Sequence, residues 1–374
     1  MQRHSSQKKN TEESGKQIRG KNKIAFVSIG IILVMIIITT GSLLFFKTQL
    51  MHTAQKEISQ AKRNYDNYYV MINSDNNSSF WQSVFQGATE QAEATNTYVE
   101  VLGENLSVDY SEAEQMEIAI ESKVDGIIVE ANESLQMRKL IDEAVTAGIP
   151  VVTALGDNTS STRQSYVGIS SYNLGREYGK QVNSIADSIY GAQEQTDNMM
   201  TNINPLQVLV LINANAEDSS QNIVFSGIQE AVENQSDYSG KINLEAKAIN
   251  TEGAFAAEES IRNIFMTEEQ PPDIIICLNE LNTTCVYQAV VDYNQVGQIN
   301  IIGYYNSETI LKAIDRSVIY STISVDTKQM GAYCVDALNE YGESGYVSEY
   351  YAVDTTLING DNVRNYLGGD ADEE

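Results

Sequence analysis

From Tyr68 to about residue 341 the chain alternates short apolar runs, rich in β-branched residues, with amphipathic stretches of helical period. In the first half the strand candidates are 68–73, 97–102, 125–130, 150–155 and 165–169. In the second half they are 206–212, 242–249, 273–278, 299–304 and 319–323. Helical periods fill the intervals at 80–95, 111–122, 134–147, 172–190, 217–234, 256–268, 281–296 and 327–341. Such alternation demands parallel pairing, because each strand returns to its sheet through a helix that covers one face. The four prolines, Pro150, Pro205, Pro271 and Pro272, fall at strand edges or in loops, where no ladder N–H is lost.

A polar segment, 191–205, interrupts the rhythm and leaves about five βα units on each side. A body of this length exceeds what one core usually serves, so two lobes are expected. The fold class is therefore α/β: two Rossmann-like lobes, parallel sheets flanked by helices, with a hinge and an inter-lobe cleft, preceded by a single N-terminal transmembrane helix. Open parallel sheets bind ligands beyond the carboxyl ends of their strands. The residues just after each strand are thus the ones to read for function.

Charge narrows the function. Of 374 residues 24 are basic and 51 acidic, for a net charge of −27. Residues 1–23 hold seven basic residues against two acidic, whereas from Tyr65 onward 13 Lys/Arg face 48 Asp/Glu. So acidic a body repels nucleic acid, whose binding requires many phosphate-neutralising cations. The only histidines, His4 and His52, precede the body, which removes Ser-His, Cys-His and His-metal chemistry from it. Three cysteines, Cys277, Cys285 and Cys334, make neither a disulfide framework nor a metal-ligand spacing, and spacing alone leaves a Cys277–Cys285 bridge open. Carboxylate pairs such as Glu258-Glu259 read as solvated helix faces, so neither a catalytic group nor a cofactor or metal is expected.

Residues 24–46 form a run of 23 without a formal charge, long enough as a helix to cross the ~30 Å hydrocarbon core. Six lysines and arginines between Lys8 and Lys23 precede it and Lys47 alone follows directly, so the positive-inside rule places the N-terminus in the cytoplasm and the body outside. The absence of an Ala-x-Ala cleavage site favours an uncleaved anchor over a secretory signal. The expected organisation is a basic tail at 1–23, the membrane helix at 24–46, a helical stalk at 47–64 and the body at 65–374.

The body resembles the type I periplasmic binding proteins of the ribose and galactose kind. The resemblance rests on Ser74-Asp75-Asn76-Asn77-Ser78-Ser79-Phe80-Trp81 with Gly87-Ala88, then Lys123-Val124-Asp125-Gly126-Ile127-Ile128-Val129. Ala147-Gly148-Ile149-Pro150-Val151-Val152, Tyr166-Val167-Gly168 with Gly175, Asn279-Glu280, Ile302-Gly303-Tyr304 and Gln329-Met330-Gly331 follow in the family's order. The same fold in lactose-repressor relatives carries a helix-turn-helix where this chain has its apolar run. Three crossings between lobes are implied, giving one lobe of about 66–169 plus 326–348 and another of about 171–324 plus 349–366.

The resemblance also implies a site. Phe80 and Trp81 match an aromatic pair that stacks on the apolar face of a sugar ring, with Phe255 closing the sandwich from the other lobe. Asn279 matches an asparagine that hydrogen-bonds sugar hydroxyls, and Ser74 and Asn77 lie in the segment from Asn73 to Trp81 that closes the first strand and opens the first helix. The departures are informative. Tyr305-Asn306 stands where relatives place an aspartate, Gly156-Asp157-Asn158 comes slightly late for their Asp-Arg, and Gln221 or Asn222 replaces an arginine. Asp157, Asn158, Asn222, Tyr305 and Asp326 then supply a different polar set. The expected function is an extracellular, membrane-anchored protein that closes on a small polar ligand, a sugar, and delivers it to an ABC permease. The alternative is a sensing subunit that signals through a partner such as a histidine kinase.

Overall fold

In a computed structural model the described residues are Met35, 38–42, 65–102, 110–196, 204–214, 220–235, 238–250, 253–267 and 271–367. The 24–46 run and the 47–64 stalk lie largely outside them. Among the described residues no helix is long and apolar enough to cross a membrane.

Residues 62–374 form one unit built on two six-stranded sheets. The first contains β1 (Asn67–Ile72), β2 (Thr97–Val101), β3 (Gly126–Val129), β4 (Val151–Ala154), β5 (Ser165–Gly168) and β11 (Tyr350–Ala352), in the order β11-β5-β4-β3-β1-β2. The second contains β6 (Leu206–Asn213), β7 (Ile242–Ile249), β8 (Ile274–Cys277), β9 (Asn300–Tyr304), β10 (Ser321–Val325) and β12 (Thr355–Asn359), in the order β12-β10-β9-β8-β6-β7. All pairs are parallel except β10 with β12. Strands β3, β4 and β8 are buried at every position, as sheets covered on both faces require.

The helices are α1 (Ser79–Glu93), α2 (Glu112–Ser122), α3 (Leu135–Thr146), α4 (Ser171–Thr196), α5 (Ser220–Gln235), α6 (Ala254–Thr267), α7 (Glu280–Asp292), α8 (Glu308–Asp315) and α9 (Thr327–Ser344). Their starts are locally encoded. Ser111 and Glu114 form a capping box on α2, Ser134 caps α3 through Met137 N, and Asn279 caps α7 through Asn282 N. The short helix α8, absent from the sequence expectation, packs Ile310, Leu311, Ala313 and Ile314 against the second core.

The two lobes repeat one plan, down to single hydrogen bonds. Asp125 Oδ2 accepts from Tyr68 N on β1, and Asp273 Oδ2 accepts from Gln207 N on β6. Leu155 N, after β4, donates to Val167 O, and Tyr305 N, after β9, donates to Ile323 O. Both residues are left-handed, with φ of 65° and 73°. Such strain in a side-chain-bearing residue persists only where its surroundings fix it, and it concentrates at ligand sites. Here Tyr166 OH donates to Leu155 O (3.0 Å) and Thr322 Oγ1 to Tyr305 O (2.7 Å).

The expected strands and helices are present with shifts of one to a few residues at their ends. The last crossing is displaced. The expectation assigned 349–366 to the second lobe, but β11 pairs with β5 in the first sheet and only β12 joins the second. Val353 N still donates to Gly168 O, so the chain changes lobes at Val353–Asp354. Exposed tyrosines on a short segment gave no sequence signal for that register. Cys277, Cys285 and Cys334 are free and buried, so no Cys277–Cys285 bridge forms, and burial pushes the Cys285 thiol up to about 11.

Candidate ligand-binding cleft

The carboxyl ends of the two sheets face each other across a cleft of about 530 Å³. The first lobe supplies Ser74 after β1, Glu130 to Asn132 after β3, Leu155 and Gly156 after β4, Tyr166 on β5, and Glu112 at the start of α2. The second supplies Asn213 at the end of β6, Ser220, Gln221 and Val224 on α5, Leu278 and Asn279 after β8, and Tyr304 at the end of β9. Burial pushes the Tyr304 phenol well above its usual range, so it stays a neutral donor.

Glu130, Gln221 and Asn279 are each held in place by a bond to a neighbouring group. Glu130 Oε2 accepts from Ser74 N (2.9 Å) and Ser74 Oγ (2.6 Å). Gln221 Oε1 accepts from Asn213 N (2.6 Å), and Asn279 Oδ1 accepts from Asn282 N (2.7 Å). With both amide oxygens engaged, the amide NH₂ groups are the donors that Gln221 and Asn279 can offer to the cleft. Burial, and secondly Glu130, raises the Glu112 carboxyl to about 7.

Glu112 thereby ties stability to pH. A carboxyl raised from 4.5 to about 7 in the native state gives stability that is full below about pH 4.5 and is lost as pH rises through about 7. The shift corresponds to roughly 3 kcal/mol at face value, and partial solvent exposure reduces it to about 1–2. Melting curves of wild type and Glu112→Gln should therefore separate at pH 8, where the variant is more stable, and converge at pH 4.5.

The lobes touch directly beside this cleft. Ser79 Oγ donates to Glu280 Oε1 (2.7 Å), Ser78 Oγ to Glu280 Oε2 (3.4 Å), and Tyr305 OH to Ser79 O (3.2 Å). Glu280 thus lies between the N-termini of α1 and α7, both of which favour a negative charge. Phe80 packs against Tyr305 edge-on at 5.2 Å and against Tyr304 at 6.2 Å. Glu280→Ala removes the two serine bonds and should weaken ligand affinity about ten-fold, through faster dissociation, with the apo melting point nearly unchanged. Stopped-flow release of a bound ligand measures it.

The expected site residues divide. Ser74 and Asn279 line the cleft. Tyr305, 6% exposed, and Phe80 sit between the lobes beside it, whereas Trp81 is buried in the first lobe against Phe80 at 5.5 Å. Asn77 lines an adjoining recess of the first lobe. Asp157 is held by Arg163, with Nη2–Oδ2 at 2.6 Å, and by Thr153 Oγ1 (2.6 Å). Asn158 is 1% exposed, its Nδ2 bound to Asn132 O and Ser134 O, so Asp157 braces the loop after β4 and Asn158 ties that loop to the one after β3. Asn222 is exposed to solvent and its neighbour Gln221 faces the cleft. Asp326 caps α9 through Gln329 N. Phe255, on the first turn of α6, is 79% exposed and apart from the cleft. Sequence reasoning missed Glu112, Glu130, Asn132, Asn213 and Tyr166. Glu130 and Asn213 could have been found, since each stands at the end of a strand facing the cleft.

The two α/β lobes place a polar cleft at their strand ends, an arrangement suited to holding a small molecule. The chain belongs to the periplasmic binding protein family: residues 68–344 match the model described as "Periplasmic binding protein domain". No curated protein sequence matches the chain. Among solved structures it resembles GanP, a glucose-galactose binding protein from Geobacillus stearothermophilus, at 20% identity over 79% of this chain and 98% of that one, with a TM-score of 0.67. It resembles AraP, an arabinose binding protein from the same organism, at 19% identity over 80% and 99%, with a TM-score of 0.63. A third likeness is to a XylFII–LytSN complex, at 21% identity over 79% and 98%, with a TM-score of 0.62. At these identities the likeness is one of fold.

Proposed function

We propose that this chain is a membrane-tethered extracellular binding protein whose lobes close on a small polyhydroxylated ligand, a sugar, for delivery to an ABC permease. The observation that carries the reading is the cleft itself, where fixed amides, carboxylates and hydroxyls converge from both lobes beside the rings of Tyr166 and Tyr304. Small-molecule sites combine such oriented polar groups with apolar surface. GanP and AraP, of the same fold, are a glucose-galactose binding protein and an arabinose binding protein. The tether is read from the charge-free run at 24–46 and the basic residues before it.

A ligand that binds only the folded state stabilises it by about 2.7 kcal/mol at a hundred times its Kd. Thermal melting against a panel of monosaccharides and short oligosaccharides should therefore yield at least one clear rise in midpoint. A panel that leaves the midpoint unmoved contradicts the reading.

A second reading is a sensing subunit. It is favoured by the resemblance to XylFII, a chain of this fold found in a complex with LytSN. A permease and ATPase encoded beside the chain support transport. A histidine kinase and response regulator there support sensing.

A further inference from the structure

The polarity of the cleft differs between its two walls. The second lobe offers amide donors, from Gln221 and Asn279, which suit the lone pairs of hydroxyl oxygens. The first lobe offers carboxylates, Glu112 and Glu130, and among the described residues no Lys or Arg lines the cleft from either side. The first-lobe wall continues into a recess of about 610 Å³ that shares Ser74, Glu112 and Asn132 and adds Asp75, again with no basic residue among those described. Arg163 and Arg138, on the same lobe, are engaged by Asp157 and Asp142.

Within that recess two buried acceptors, Gln115 Oε1 and Asn76 Oδ1, have no hydrogen-bond partner among the described residues, and Gln115 is 6% exposed. One buried donor, Asn73 Nδ2, also lacks one there. Buried polar atoms without partners are costly, so these acceptors call for a donor-rich ligand, and a first-lobe wall lined by Glu112, Glu130 and Asp75 with no Lys or Arg favours one that is positively charged.

We propose that the ligand is an amino sugar, its protonated amine turned to Glu112 and Glu130 and its hydroxyls to Gln221 and Asn279. This rests on the sugar-binding reading above and names the sugar class. The raised Glu112 carboxyl agrees with it, since an ammonium group placed there would offset the burial, and secondly the Glu130 charge, that disfavour its ionised form. A sugar acid would bring a further negative charge to this carboxylate-lined wall and is disfavoured there.

The test is calorimetric titration of the full-length chain in detergent at neutral pH. The probes are D-glucosamine, D-galactosamine and D-mannosamine, their N-acetyl forms, the neutral parent hexoses and the matching uronic acids. At least one amino sugar should bind about ten-fold or more tightly than its neutral parent. N-acetylation, which removes the charge and keeps the ring, should abolish that preference. Glu112→Gln and Glu130→Gln should shrink the ratio of the two affinities to about three-fold or less, with melting curves confirming that the variants are folded. If a neutral hexose or a uronic acid binds as tightly as any amine, this inference falls while the sugar-binding reading stands. If no probe binds, both fall. The wild-type panel decides the point even if a variant fails to fold.

Discussion

Gly331→Ala is expected to lower the melting point of the body by roughly 5–10 °C, the consequence of about 3 kcal/mol of overpacking. In the first lobe α9 crosses α1 so closely that a Cβ on Gly331 would lie 1.9 Å from Val84 O, and one on Gly87 would lie 2.1 Å from Lys328 O. Both obstacles are backbone carbonyls within helices, which cannot rotate away as a side chain could. The helices would have to separate, and with them Met330, Cys334 and Val335 would leave the core. The same helix contains its own control. A Cβ added to Gly342 would meet nothing within 4 Å, so Gly342→Ala should stabilise by about 0.5–1 kcal/mol through helix propensity alone. Opposite signs for one chemical change on one helix would establish that close approach, rather than glycine content, sets the effect. The second lobe repeats the arrangement at Gly175 and Gly227, where α4 meets α5, and the same loss is expected there.

Asn279→Asp is expected to weaken ligand binding ten- to a hundred-fold while leaving the apo melting point within about 2 °C. Aspartate caps a helix as well as asparagine does, and its charge suits the N-terminus of α7. The bond from Asn282 N is therefore retained. What changes is the amide NH₂ on the cleft side, replaced by an anionic oxygen facing hydroxyl oxygens. A buried acceptor left without its donor costs about 1–3 kcal/mol, which sets the expected range. Gln221→Glu makes the same exchange on α5, where Gln221 Oε1 is already held by Asn213 N. Calorimetric titration of each variant with the ligand found for wild type measures the loss, and the double variant should approach the sum unless the two donors share one hydroxyl.

How much of this was legible in the sequence depends on the range of the interaction involved. The alternation of apolar runs with helical periods is local, and it located the strands β1 to β10 of the two βα repeats to within a few residues. Caps such as Ser134 and Asn279 are equally local. The aromatic pair shows where this ended. Phe80 and Trp81 are neighbours in sequence, yet Phe80 meets Tyr304 and Tyr305 of the other lobe while Trp81 turns into its own. Nothing in the spacing distinguishes the two faces of the first turn of α1. Asp157 illustrates the same limit: an aspartate after a strand reads as a ligand group, but Arg163, six residues on, claims it. Glu112 was hidden because it lies on a helix between strands, where an acidic first-turn residue reads as a dipole partner. Only the fold brings it beside Glu130. The β11 register likewise depends on Tyr350 stacking on Tyr166 at 5.6 Å across the sheet, a contact between residues far apart in the chain.

The proposed sugar cleft between the lobes has a reporter built in. Trp81, the only tryptophan, packs against Phe80, which in turn touches Tyr304 and Tyr305 of the opposite lobe. Its emission therefore reports movement between the lobes without requiring contact with the ligand. Titrating the chain with neutral and amino sugars while exciting Trp81 should give a saturable change for at least one of them. The same change should require far higher concentrations in Asn279→Asp. Unchanged emission across the whole panel, with no rise in melting point, would contradict the account.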